Sequence, residues 1–220
     1  MLTDIEAVIF DLDGTLIDSM WVWKDIDEVY LKSIGERHDE ARIAQVRMEI
    51  EGKSFKEVAE IFKREYGISD SISRIMQTWT DMAYDRYKNV VKLKPHVKEF
   101  LDYIKERGIK IGLATSNSEH LAATVLKSRG IFDYFSAMIT GDEGKGKPHP
   151  GVYLRAAKKL GVRPDKCLVF EDLTAGLMSA SNAGMKTCAV RDPYSEYQLD
   201  EKIRLADYCI NDFNEVIGVI

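Results

Sequence analysis

The sequence predicts an α/β fold, with a parallel sheet core flanked by helices and interrupted early by an all-helical insertion. Three observations carry that reading. First, short and continuously apolar runs recur at Ile5 to Phe10, Lys110 to Ala114, Ala137 to Thr140, Cys167 to Phe170 and Thr187 to Val190, as strands covered on both faces require. Second, helix-length segments between the later runs end in Gly followed by an apolar residue, at Gly108-Ile109, Gly130-Ile131, Gly161-Val162 and Gly184-Met185. Strands alternating with helices imply right-handed crossovers and a parallel sheet. Third, residues 18–90 show helical periodicity and no strand signal. Residues 1–17 and 91–220 are therefore expected to form the core. The insertion, 18–90, is expected to lie over the carboxyl ends of the strands, because it begins just after Asp13.

Within the insertion, Trp23, Ile26, Tyr30 and Ile34 share one face of a helix that stops at Gly35, and His38 beyond it is expected at the surface. Ser54 and Glu57 form a capping box ahead of Val58, Ile61 and Phe62, and Gly67 closes that helix. Ile72, Ile75, Met76, Trp79 and Met82 make a further stripe. After the insertion, Pro95 stands as the first residue of a helix carrying Val97, Phe100, Leu101 and Ile104, and Pro150 plays the same part before Tyr153, Leu154 and Ala157.

With 220 residues, 45% of them apolar and 30% charged, the chain has the makings of one substantial core. Its net charge of −5, without a Lys/Arg run, argues against a nucleic-acid-binding face. Neither a signal peptide nor a membrane-spanning segment is expected. Cys167, Cys188 and Cys209 are odd in number and far apart, which suits a reducing cytosol; all three are expected as buried structural thiols, and a cytoplasmic location follows.

Four polar groups stand at or near strand ends: Asp11 and Asp13; Thr115-Ser116-Asn117; Lys147 in the loop Gly141 to Pro148; and Glu171-Asp172. Each alone has a plain reading as a turn, a helix cap or a solvated loop. In a parallel sheet all four gather at one edge, where α/β ligand sites form. Several acids brought together need compensation. A divalent, oxygen-loving cation supplies it, with Lys147 as a second positive charge, and Mg²⁺ suits carboxylates that also meet a phosphate. Gly141 to Lys147 also matches a nucleotide phosphate loop, but Pro148 replaces the Ser/Thr that should follow the lysine.

In these motifs, in this order, the chain resembles the haloacid dehalogenase superfamily. Within it, the chain is similar to the group with a Rossmann-like core and a helical cap that contains β-phosphoglucomutase and small sugar-phosphate phosphatases. The resemblance implies that Asp11 is a nucleophile forming an aspartyl phosphate and that Asp13 is the general acid and then base. It implies that Asp11, Asp13 (by its carbonyl), Asp172 and Glu171 hold Mg²⁺, while Thr115, Ser116 and Lys147 hold the phosphate. Trp21, Trp23, Lys24, Arg47, Lys53 and Asn117 are the candidates for contact with the rest of the substrate. The implied activity is a Mg²⁺-dependent phosphatase, a phosphoric monoester hydrolase, acting on a small phosphorylated metabolite such as a sugar or polyol phosphate. A β-phosphoglucomutase-like mutase is the alternative, disfavoured because Asp18 to Lys24 offers no His. A non-catalytic binding protein on the same fold is the remaining one. A small phosphorylated substrate is the only partner expected, with no nucleic acid or membrane and the chain a monomer. Cap movement is expected about hinges near Ile17 to Ser19 and Val90 to Lys94.

Overall fold

The computed structural model describes residues 1–36, 39–141 and 144–218; His38 lies outside them. The main sheet has the order β5-β4-β1-β6-β7-β8, built from β1 (Ala7–Phe10), β4 (Lys110–Ala114), β5 (Ala137–Ile139), β6 (Cys167–Glu171), β7 (Lys186–Val190) and β8 (Tyr208–Ile210), and every neighbouring pair is parallel. The central strand β1 puts Phe10 opposite both Leu113 of β4 and Phe170 of β6. The chain therefore leaves all three strands at one edge.

Alternation along β1 explains why it is apolar throughout. Val8 and Phe10 join one cluster with Leu113, Phe170, Phe100 and Leu121, from beneath α5 (Val97–Glu106) and α6 (Glu119–Ser128). Ala7 and Ile9 join another with Tyr153, Ala156 and Ala180, from α7 (Gly151–Leu160) and α8 (Thr174–Asn182). Each phenylalanine buried there contributes about 1.5–3 kcal/mol. Helix α5 begins at Val97, two residues later than Pro95 predicts, because Lys94 is still tied to the preceding segment through its N–H to the Leu16 carbonyl, 2.9 Å. Cys167 and Cys188 are buried, whereas Cys209 is exposed on the edge strand β8, contrary to expectation.

Residues between β1 and α5 form the helices α1 (Met20–Ser33), α2 (Glu40–Ile50), α3 (Phe55–Tyr66) and α4 (Ile72–Asn89). The capping box at Ser54 and Glu57 is present, and Gly67 closes α3 in the left-handed conformation. Helix α2 has no counterpart in the sequence reading, because it buries only Val46 and so carries no apolar stripe. The four helices join the rest through two antiparallel strands, β2 (Ile17–Asp18) and β3 (Lys92–Leu93), with Ile17 opposite Leu93. Helix α4 lies along α6, where Tyr84 stacks on His120 and the Arg129 guanidinium donates to the Lys88 carbonyl, 3.0 Å. No helix among the described residues is long and apolar enough to cross a membrane. The remaining helix that bears on the site is α9 (Leu199–Leu205), preceded by a 3-10 stretch, Pro193–Gln198.

Candidate active site

The backbone turns as it leaves β1, and the Leu12 carbonyl accepts from the N–H groups of Leu16 and Ile17 at 2.9 and 3.1 Å. Gly14 in that turn has φ +80°, and a Cβ there would lie 2.3 Å from Asp172 Oδ2. Only glycine permits both the conformation and the close approach. Thr15 Oγ1 donates to the other oxygen of Asp172 across 3.2 Å. The turn after β1 thus closes directly on the carboxylate that follows β6.

Asp11, Glu171 and Asp172 are buried together, with oxygens from all three within 4.8 Å of one another. Lys147 is 3% exposed, and its Nζ donates to Asp11 Oδ1 at 2.5 Å and also to Glu171. The Tyr153 hydroxyl donates to Glu171 Oε1 at 3.1 Å, and the Leu173 N–H donates to Oε2 at 2.9 Å. Burial on its own would lower the Lys147 pKa, but Asp11 and Glu171 outweigh it and hold the ammonium well above the ordinary lysine value. One cation does not balance three acids. Burial pushes Asp11 up to about 8 despite Lys147, and burial with Glu171 and Asp11 pushes Asp172 well above the usual carboxylate range.

That imbalance fits a divalent cation. The donor set is all oxygen, which suits Mg²⁺. Asp172 Oδ2 is buried without a hydrogen-bond partner among the described residues, a state that native interiors rarely leave uncompensated. Beneath it, the wholly buried Lys202 of α9 donates to the Asp172 carbonyl and to Ser195 Oγ, both at 3.0 Å.

Asp13 has a different environment. Ser19 Oγ donates to its Oδ1 at 2.6 Å, Asn117 Nδ2 donates to its Oδ2 at 2.9 Å, and the Tyr87 hydroxyl also donates to Oδ1. Tyr87 in turn accepts from Trp23 Nε1 at 2.7 Å and from Asn117 Nδ2 at 3.1 Å. Burial first, and Asp13 second, hold the tyrosine hydroxyl protonated far above its ordinary range, so it serves as a donor. Tyr87, on the last turns of α4, and Ser19 escape the sequence reading. Tyr87 does fall four residues after Ala83 and eight after Trp79, a spacing that reads equally as core.

The insertion also touches the loops after β4 and β5. The Phe55 N–H donates to the Ser116 carbonyl at 3.2 Å, the Lys147 N–H to the Gly52 carbonyl at 2.7 Å, and the Gly146 N–H to Glu57 Oε2 at 2.9 Å. A Cβ on Gly146 would stand 2.4 Å from the Ser54 nitrogen, so the two layers meet backbone to backbone.

Between them lies a cavity of about 500 Å³. One end is lined by Asp11, Asp13, Thr115, Ser116, Asn117, Lys147, Glu171 and Asp172, so all four sequence motifs meet there. Trp23, Lys24, Arg47 and Lys53 line the walls formed by the insertion. Trp21 does not: its indole N–H donates to the Asp18 carbonyl at 3.0 Å, and Arg86 lies over its ring. An acid beside a cluster fit for a cation, with a second, well-oriented acid facing the same cavity, can attack a phosphate ester and manage the proton of its leaving group.

The family described as haloacid dehalogenase-like hydrolase matches residues 8–190. A phosphorylated carbohydrates phosphatase of Thermotoga maritima is 32% identical over 183 residues, 83% of each chain. Hexitol phosphatase B of Escherichia coli K12 is 30% identical over 218 residues, 96% of this chain and 94% of its own. The crystal structure of a β-phosphoglucomutase from Clostridium difficile superposes with a TM-score of 0.79 at 26% identity, covering 96% of this chain and 93% of that one.

Proposed function

Because the chain belongs to the haloacid dehalogenase-like hydrolase family, we propose that it is a Mg²⁺-dependent phosphoric monoester hydrolase of small phosphorylated metabolites. Sugar and polyol phosphates are the class that the relatives' names support. The observation that carries the reading is the buried trio of acids, only partly offset by one lysine, at the end of a cavity that also receives the well-oriented Asp13.

An Asp11 carboxylate oxygen attacks phosphorus, and the bond to the leaving alcohol breaks. The Asp13 carboxyl gives that oxygen its proton, then as carboxylate takes a proton from the water that hydrolyses the aspartyl phosphate. Lys147, Thr115 and Ser116 hold the phosphoryl oxygens, and Lys147 shields the charge that grows on them. Asp11 and Asp172 would hold Mg²⁺ by side chain and Asp13 by its backbone carbonyl. Glu171 would act through water, since both its oxygens already accept protein hydrogen bonds. When bound, the ion neutralises the acids and orients the phosphate. Residues 18–90 act as a cap on the core 1–17 and 91–220, moving about β2 and β3, in a monomer. Free thiols at all three cysteines suit a cytoplasmic enzyme.

The primary test is turnover of p-nitrophenyl phosphate with Mg²⁺ and with EDTA; hydrolysis that survives chelation refutes the proposal. Stability gives an independent check. Asp11 binds its proton more tightly folded than unfolded, so the folded state carries the extra proton and stability falls as pH rises from 3.8 to about 8. The metal-free melting temperature is expected to drop across that window. Mg²⁺ at a hundredfold excess over its Kd should add about 2.7 kcal/mol at the alkaline end. A melting curve that ignores Mg²⁺ at pH 8 counts against the metal site.

Tyr87→Phe tests the acid. The expected result is a loss of about 10- to 100-fold in kcat/KM for an alkyl phosphate, part of the ~10²–10⁴ that a general acid supplies. For p-nitrophenyl phosphate, whose leaving group needs no proton, kcat/KM should hardly change. Equal losses on both substrates would mean that Tyr87 only supports the fold.

A further inference from the structure

Glu57 makes one contact more than a helix cap needs. Its Oε2 accepts from the Ser54 N–H at 2.9 Å and from Ser54 Oγ at 2.7 Å, and the Glu57 N–H donates back to Ser54 Oγ at 3.4 Å. Those bonds complete the capping box of α3. The same oxygen then takes a third donor, the Gly146 N–H at 2.9 Å, which comes from the core, 89 residues along the chain. Burial raises the Glu57 pKa, but the donors from Ser54 and Gly146, with Lys53 nearby, outweigh it and hold the carboxyl below the ordinary glutamate value. The acceptor is therefore an anion, and a hydrogen bond to an ionised group is about twice as strong as a neutral one.

What the third donor precedes gives the contact its meaning. Gly146 stands directly before Lys147, whose ammonium meets Asp11 and Glu171. The next N–H, that of Lys147 itself, goes to the Gly52 carbonyl at 2.7 Å. Two successive backbone donors are thus given to the insertion. Neither residue belongs to a helix or a strand, so no ladder of the core sets their path. The segment 52–57 sets it instead, and at close quarters: a Cβ on Gly52 would lie 3.1 Å from the Lys147 Cβ. Once that segment moves away, both N–H groups turn to water and the backbone that carries the ammonium is released.

We propose that Glu57 is a positioning residue for the reaction: by holding the Gly146 N–H it fixes the backbone of Lys147, so that the ammonium is placed for the phosphoryl group only while the insertion is docked on the core. The inference rests on the phosphatase reading and adds to it a residue that touches neither the substrate nor the acids.

The experiment compares Glu57→Ala with Ser54→Ala. Both break the capping box and are expected to lower the melting temperature alike, but only the first removes the acceptor of Gly146. With p-nitrophenyl phosphate and Mg²⁺, kcat of Glu57→Ala is expected to fall about 10- to 100-fold, the scale of misplacing a reacting group by about 1 Å. KM should stay close to that of the parent, because Lys147 acts on charge that grows during transfer. Unlike the loss in Tyr87→Phe, this one should be as large for p-nitrophenyl phosphate as for an alkyl phosphate. Ser54→Ala should keep the parent's kcat. Hydrogen exchange adds a readout besides turnover: the Gly146 amide should exchange about tenfold faster or more in Glu57→Ala than in Ser54→Ala, the factor that one hydrogen bond to a charged group supplies. The inference is overturned if Glu57→Ala turns over as fast as the parent or faster, or if Ser54→Ala loses as much. If the parent hydrolyses no phosphate, p-nitrophenyl phosphate included, the phosphatase reading itself has failed. Exchange at Gly146 then decides the tether separately: faster exchange in Glu57→Ala alone upholds it, and equal rates in the two variants remove it.

Discussion

Asp11→Asn is expected to lower turnover by on the order of 10⁴-fold or more, the scale reached when a covalent nucleophile is removed from an enzyme, while leaving the fold intact. Asparagine has the same shape, and its Oδ1 can still accept from Lys147, which reaches the aspartate at 2.5 Å. What disappears is the negative oxygen that attacks phosphorus. The substitution also takes one charge out of a buried group in which Glu171 and Asp172 remain close. The metal-free variant should therefore melt no lower than the parent at pH 8, and its pH-dependent loss of stability should shrink. Phosphate release and thermal unfolding read the two effects separately. Residual turnover within about tenfold of the parent would remove Asp11 from the chemistry.

Lys147→Met is expected to have the largest combined effect. It strips the ammonium from Asp11 and Glu171, both of which it contacts where all three side chains are buried. Breaking a buried pair by removing one partner costs about 3–5 kcal/mol, because the charge left behind is uncompensated. Two acids are left behind here, with Asp172 beside them. The loss should be greatest above pH 8 without metal and should ease as pH falls, because acids with raised pKa values take up protons in the folded state. Adding Asp11→Asn to Lys147→Met should recover part of the loss, and the double-mutant cycle measures that coupling. Additive losses would show that Lys147 and Asp11 do not act on one another. Turnover of the single variant should fall by at least about 10²–10³, as when one stabilising donor is removed from a transition state.

The groups these predictions concern differ in how far the sequence reveals them. Asp11, Thr115, Glu171 and Asp172 are legible because each directly follows or ends an apolar run, and a parallel sheet sends the ends of such runs to one edge. Lys147 is legible only through its loop. Tyr87 is not, because it comes from the far end of the insertion, 74 residues from Asp13, and only the packing of α4 on α6 brings it there. Lys202 is hidden for a similar reason: in sequence it is one charge among several on a short helix, and its burial under Asp172 depends on how α9 packs on α8 and β8. The ribbon of β2 and β3 has two residues per strand, too few to carry a periodicity. Trp21 and Trp23 are indistinguishable in the sequence. The turn of α1 between them puts one over the cavity and hands the other's N–H to the Asp18 carbonyl.

The tryptophans have one more consequence. The chain has three, Trp21, Trp23 and Trp79, and all of them belong to the helices inserted after β1. Tryptophan emission, excited at wavelengths that tyrosine does not absorb, is therefore an optical label on that part alone, installed without chemistry, while circular dichroism sums over every helix and strand. In a urea titration the two signals trace one curve only if the insertion and the sheet come apart together.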